Sequence, residues 1–133
     1  MKAVLAAAIL LCASCAGTRP SAFAHRDIRA EEILMLDMKI MDWRKDLGLT
    51  PRPDPFLVTQ IRAQPRFSVP PPKPVNDSEQ CLDVCELSVY ICKASEDICR
   101  IADELGQDDW AQAKCVSAKA SCKEARKRCN ECQ

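Results

Sequence analysis

Hydrophobic and polar positions alternate with a helical period in the first half of the chain. Between residues 26 and 47, apolar side chains recur at every third or fourth position, which is the spacing of one face of an α-helix; this stripe consists of Ile33, Leu36, Ile40, Trp43 and Leu47. Gly48 and Pro51 follow in the order that is typical of a helix C-terminus. We therefore predict an amphipathic helix over residues 25–49.

The middle of the chain is rich in proline. Residues 50–75 contain eight prolines, three of them in succession at residues 70–72. Proline fixes the backbone dihedral φ and removes a hydrogen-bond donor, so we expect an extended segment that is poor in regular structure. Such a segment can act as a spacer between a membrane anchor and a folded head, or lie as a strap on its neighbours.

Residues 76–133 carry eight of the ten cysteines in two groups of mirrored spacing. Gaps of six residues place three cysteines of each group on one stripe of a helix. When the groups are paired from the centre outwards, the two residue numbers of every pair add to the same total within one unit. This regularity is typical of two antiparallel helices, and it pairs Cys99 with Cys115, Cys92 with Cys122, Cys85 with Cys129 and Cys81 with Cys132.

Small residues continue the same two stripes between the cysteines: Ser88, Ser95, Ala102, Ala111, Ala118 and Ala125. A disulfide brings two Cα atoms to about 5.5 Å, whereas helix axes usually lie about 8–10 Å apart, so only small side chains fit between helices joined in this way. Cysteines seven residues apart in one helix are separated by about 10 Å of rise and cannot bond to each other. We predict an antiparallel helical hairpin stapled by disulfides, with its turn at Gly106 and Asp108 or Asp109 capping the second helix. Asp77 is the predicted N-cap of the first hairpin helix.

One flank of the first hairpin helix carries an apolar row at seven-residue steps: Val84, Ile91, Ile98 and Leu105. The equivalent positions of the second helix are Lys114, Ser121 and Arg128, which leave the row uncovered within the hairpin. Two interpretations follow. The row either docks another protein, or it packs against the N-terminal helix to form a three-helix unit.

The N-terminal segment, residues 1–24, has the layout of an export signal. Lys2 precedes nine apolar residues at positions 3–11, a run too short to span a bilayer. Residues 12–15 resemble a lipobox, which would make Cys15 the lipidated N-terminus, whereas Ala22-Phe23-Ala24 fits cleavage before His25. We expect export to the outer membrane, the periplasm or the extracellular space, with membrane attachment through a lipid anchor when Cys15 is modified.

Composition narrows the possible functions. The 19 basic and 19 acidic residues cancel, so nothing in the charge favours a nucleic-acid partner. With one histidine and three glycines, the sequence offers no catalytic constellation, and we expect a non-catalytic protein without a cofactor that serves as a structural module or binds an envelope protein. The alternative is a metal-binding protein: Cys81, Cys85, Cys129 and Cys132 meet at the open end of the hairpin and as thiolates could bind Zn²⁺ or Cu(I).

The hairpin resembles the twin-cysteine helical hairpins, and Cys81-x3-Cys85 is similar to the spacing in α-hairpinin peptides. As a whole, the lipobox-like start, the proline-rich middle and the Cys-x6-Cys tail resemble the cysteine-rich lipoproteins of myxobacteria and similar Gram-negative bacteria. That resemblance implies a location in the cell envelope and carries no assigned activity.

Overall fold

The computed structural model of the chain describes residues 22–64, 69, 71 and 78–132, which form four helices and no strand. The helices are α1 (Ala22–Asp46), α2 (Pro55–Ala63), α3 (Glu79–Glu104) and α4 (Asp109–Glu131). The all-α prediction is therefore confirmed. None of these helices has the length and apolarity needed to cross a bilayer. Cys15 and the rest of the predicted lipobox lie outside the described residues.

Helices α3 and α4 form the predicted antiparallel hairpin. Four disulfides join them in the four pairs that the cysteine spacing predicts, with Cα–Cα distances of 4.5 to 5.6 Å. At the turn, Gly106 adopts a φ of +68°, and the carboxylate of Asp108 accepts the amide of Ala111 at 3.0 Å to cap α4. Helix α3 is capped by Ser78, whose hydroxyl accepts the amide of Cys81; the predicted cap, Asp77, lies outside the described residues. Disulfides at four levels indicate an oxidising environment outside the cytoplasm.

The seam between α3 and α4 has no room for large side chains. Every small residue that the sequence places between the cysteines is buried, at 0–4% exposure: Ser88, Ser95, Ala102, Ala111, Ala118 and Ala125. The hydroxyl of Ser88 has no hydrogen-bond partner within the described residues, so serine is accepted there for its size rather than for a polar contact. Because the seam is this narrow, the larger apolar side chains of the protein must be buried elsewhere.

Helix α1 supplies that burial. It runs antiparallel to α3, since Arg29 pairs with Glu104 at 2.8 Å and the ring centroids of Trp43 and Tyr90 lie 5.7 Å apart. Its residues Ile33, Ile40 and Leu47 are buried in one cluster with the isoleucines of α3 and the alanines of α4; the α3 members are Ile91, Ile98 and Ile101. The sequence leaves open whether α1 packs on the hairpin, and the structure decides in favour of a three-helix unit.

The end of α1 is the predicted glycine stop. Gly48 adopts a φ of +71°, its amide donates to the carbonyl of Lys45, and the amide of Leu49 donates to the carbonyl of Arg44 at 2.9 Å. These two bonds form a Schellman motif, which satisfies carbonyls that the last helical turn would otherwise leave unpaired.

The prediction of an extended segment over residues 50–75 is wrong for residues 55–63, which form α2. Pro55 occupies the first position of the helix, where its missing amide costs nothing, and the carboxylate of Asp54 caps the helix by accepting the amide of Phe56 at 2.8 Å. Ile61 is buried where α2 packs on α4. The high density of prolines favoured the prediction of a continuous extended segment. It concealed the N-terminus of α2, which Asp54 caps and Pro55 begins.

A buried ion pair joins α1, α2 and α4. The guanidinium of Arg44, whose side chain is 1% exposed, lies 2.6 Å from the carboxylate of Glu124 and donates to the carbonyls of Thr50 and Arg52. The other carboxylate oxygen of Glu124 accepts the amide of Asp54, at the start of α2. One arginine therefore holds the connection between α1 and α2 against α4, and the acceptors around it offset the cost of burying its charge.

The narrow seam predicts that a larger side chain there is not tolerated. Ala118→Leu adds three heavy atoms at a position that is 1% exposed between two disulfide levels, and we expect it to lower the free energy of unfolding by about 1–3 kcal/mol. Ala113→Leu, at a partly exposed position of the same helix that lies away from the seam, is the matched control and is expected to change the free energy of unfolding by less than about 0.5 kcal/mol. Urea denaturation of the oxidised proteins measures both values, and equal stability of the two variants would contradict a close-packed seam.

Candidate interaction surface

The apolar row predicted as a docking stripe is not a free surface. Ile91 and Ile98 are 0% exposed in the core cluster, and Val84 and Leu105 are half-buried against the same cluster. The row is covered by α1 of the same chain, which brings Ile33 and Ile40 into that cluster. The assignment of these four residues to a partner-binding site is therefore wrong, because an intramolecular helix satisfies their need for burial.

A different apolar surface remains exposed, on the side of α1 that faces away from the hairpin. Ile28, Leu34, Met35 and Met38 are 62, 46, 51 and 53% exposed, and at 100° per residue they lie within an arc of about 120° of the helix circumference. We call these four residues the outer face of α1. Because the opposite face of α1 is buried in the core, the helix is apolar on two sides, a composition that usually indicates burial on both.

The outer face of α1 was not predicted from the sequence, because one apolar stripe already identifies α1 as a helix with a buried side. The stripe from Ile33 to Leu47 accounts for contact with the hairpin, and the prediction of an amphipathic helix stopped there. The signal was nevertheless present: Leu34, Met35 and Met38 fall between the stripe positions, where a helix with one buried face carries polar residues.

Ion pairs along α1 fix this helix, and with it the outer face, on the hairpin. Towards its N-terminus the guanidinium of Arg26 lies 2.7 Å from the carboxylate of Asp108, and in its middle Asp37 pairs with Lys114 at 2.5 Å. The Asp37 pair is largely shielded from solvent, with side chains 12 and 19% exposed. Together with the Arg44 pair, these contacts attach both halves of α1 to α4 in a single register.

Asp108 combines two roles at one end of this arrangement. The amides of Ala111 and Trp110 and the guanidinium of Arg26 all favour its ionised form, and the backbone hydrogen bond from Ala111 is the largest of these influences. They hold the pKa of Asp108 below its ordinary value. The carboxylate that begins α4 is therefore also the group that holds the start of α1.

The four cysteines considered for a metal site are bonded to one another. Cys81 is joined to Cys132 and Cys85 to Cys129, so none of these sulfurs is a thiolate in the structure. Within residues 22–64 and 78–132, no group of three or more His, Cys, Asp or Glu side chains is arranged to hold a metal ion. A four-thiolate centre would require both disulfides to be reduced.

A groove of about 870 Å³ runs along the hairpin over two of the disulfides. Its floor includes Ser95 and Cys122, and its edge is formed by Val69 and Pro71 of the proline-rich segment. The α3 wall is mostly acidic and the α4 wall basic, with charged residues Glu96, Arg100, Asp103, Glu104, Lys119 and Arg126. This surface is mixed in charge and is partly lined by the chain's own segment, which distinguishes it from the apolar outer face of α1.

Comparisons with known proteins identify no relative: no protein-family model, no curated protein and no solved structure matches this chain.

The lowered pKa of Asp108 predicts how the attachment of α1 responds to acid. A carboxyl group whose pKa is depressed in the folded state adds stability at pH values above its unfolded pKa of about 3.9, and that stability is lost as the pH falls through the lower folded value. Asp108→Asn keeps a capping side chain but removes the ion pair with Arg26, so we expect it to be less stable than the parent protein at pH 7, by a difference that shrinks as the pH falls below the ordinary pKa of an aspartate. Thermal unfolding followed by tryptophan fluorescence between pH 2 and pH 7 measures this difference. A difference that stays constant over the whole range would contradict the assignment, since the other carboxyl groups titrate equally in both proteins.

Proposed function

We propose that this protein is a non-catalytic module of the cell envelope that presents the outer face of α1 for contact with another protein surface. The observation that carries the proposal is that α1 exposes four large apolar side chains on the side opposite the one it buries. Apolar patches of this kind on small monomeric proteins commonly mark interaction sites.

The disulfide ladder supports the same function. Each native disulfide stabilises a folded chain by about 2–4 kcal/mol, although nested bridges contribute less each because the inner ones already shorten the outer loops. A hairpin closed at four levels keeps its shape without a core of its own. It thus serves as a rigid support on which α1 is held by ion pairs and by a small apolar cluster.

The proposed envelope location is supported by the sequence of the first 24 residues together with the oxidised cysteines. The apolar run at residues 3–11 and the lipobox-like residues 12–15 are typical of an exported lipoprotein, and Cys15 would then anchor the module to the membrane. Both processing routes keep residues 25–133, and hence the complete outer face of α1.

Mass spectrometry of the exported protein tests the location and the oxidation state. We expect the non-reduced protein to gain two hydrogens for each of four disulfides on reduction, and to accept eight alkyl groups at the hairpin cysteines only after reduction. The mass of the non-reduced chain distinguishes a lipidated Cys15 from a chain that begins at His25. A full-length chain with residues 1–24 attached, or alkylation without reductant, would contradict the proposed location.

Site-specific photo-crosslinking in cells tests the contact surface. A photoreactive amino acid at position 35, in the outer face of α1, is expected to give a discrete crosslinked product when the chain is expressed with its N-terminal segment in a Gram-negative host. The same amino acid at position 93, an exposed lysine of α3, is the matched control and is expected to give none. No product at position 35, or equal products at both positions, would contradict a docking role for this face.

A further inference from the structure

Two residues of opposite charge flank Met35 of the outer face of α1. Glu31, Met35 and Lys39 are spaced four residues apart and therefore lie on one ridge of the helix surface, about 6 Å apart along the axis. Glu31 and Lys39 make no hydrogen bond or ion pair within the described residues. One unpaired acid and one unpaired base thus flank a half-exposed methionine at equal distances.

We infer that the outer face of α1 binds the same face of a second copy of this chain, with the two α1 helices antiparallel and related by a two-fold axis at Met35. An antiparallel copy places Glu31 of each chain beside Lys39 of the other and brings the two Met35 side chains together. A parallel copy would place like charges against each other. The inference rests on the proposed function, because it names the partner of the surface on which that function depends.

Several neighbouring charges of α1 already have partners within the chain. Lys45 pairs with Asp42 within α1 at 2.9 Å, and Arg29 is engaged by Glu32 and Glu104, so these residues are already neutralised. Ridges formed by residues four apart pack side by side when two helices cross at about −50°, which is the commonest packing class in globular proteins. At such a crossing the helices diverge within about two turns, and contact is confined to the residues around Met35.

The size of the surface sets the expected strength of association. Four side chains, each roughly half exposed, give an apolar patch of a few hundred Å² per copy, so two copies bury less than the roughly 1,200 Å² at which specific interfaces begin. Association should therefore be reversible, with a Kd in the micromolar range. In a membrane-anchored protein, confinement to a surface raises the effective concentration and favours the pair.

Analytical ultracentrifugation of the oxidised protein from about 1 µM to about 1 mM tests the inference, since this range brackets a micromolar Kd. We expect a monomer–dimer equilibrium, weakened at least about tenfold by Met35→Glu, which would bring two carboxylates together in an apolar contact. Leu82→Glu, at an α3 position that is 48% exposed, is the matched control and is expected to leave the equilibrium unchanged. Both positions are exposed, and the count of four disulfides verifies that each variant is folded.

Charge exchange tests the antiparallel geometry. Glu31→Lys and Lys39→Glu are each expected to weaken self-association roughly three- to tenfold, because each variant places like charges at both ends of the contact. An equimolar mixture of the two variants should associate as strongly as the parent protein, since the mixed pair restores both opposite-charge contacts. Singly substituted chains that associate normally would overturn the antiparallel arrangement.

The outcomes separate this inference from the proposed function. A protein that stays monomeric at every concentration overturns the second copy as partner, and a crosslinked product at position 35 with a different protein would then still support the docking role. Sedimentation with vesicles of phosphatidylethanolamine and phosphatidylglycerol tests whether the outer face of α1 contacts lipid instead. If the monomeric protein binds these vesicles and Met35→Glu abolishes binding, the outer face of α1 contacts lipid and the inference is wrong.

Discussion

The close approach of α3 and α4 is the constraint on which the rest of the structure depends. Disulfides hold their Cα atoms 4.5 to 5.6 Å apart at four levels, a separation that excludes ordinary core side chains from the space between the helices. Every intervening seam position must therefore be small. The hairpin gains its stability from covalent bonds rather than from apolar burial, which is the usual solution when a small domain cannot build a sufficient core.

Because of this constraint, the apolar side chains on one flank of α3 are not covered by α4, the other helix of the hairpin. The isoleucines of α3 project beside the seam, and α1 fills that space with Ile33 and Ile40. Since the flank is long and straight, the covering helix must also be long, and α1 spans 25 residues. Ion pairs to α4 match in one register only, whereas the buried apolar side chains of α1 recur every seven residues, or about two helical turns.

The same helix then creates a new exposed surface. One face of α1 is committed to the hairpin, and the residues between its buried positions point outwards, where Met35 and Met38 are about half exposed. Methionine is flexible and polarisable, and it is suited to contacts that form and dissociate. A rigid, covalently closed support that carries an adaptable apolar helix face is consistent with the proposed reversible association.

The sequence by itself determined the hairpin. Cysteine spacing predicted its four pairs and the position of its turn, because two groups with mirrored gaps, six of the eight cysteines at seven-residue steps, pair level by level in two antiparallel helices. The small residues at the intervening positions predicted the narrow seam. The sequence also determined the end of α1 at Gly48, where a local hydrogen-bonding motif needs no tertiary contact. Asp54 is also a typical helix N-cap residue, but the density of prolines around it favoured the prediction of an extended segment and concealed α2.

Only the tertiary structure decided which apolar surface is covered and which is exposed. Two apolar helix stripes can be recognised in the sequence: the α3 row that includes Ile91 and Ile98, and the outer face of α1. Periodicity does not distinguish a stripe that is buried within the chain from one that is left exposed. That distinction depends on how helices distant in sequence dock. Here the docking is settled by pairs such as Asp37 with Lys114 and Arg44 with Glu124, separated by 77 and 80 positions, which no local pattern reveals.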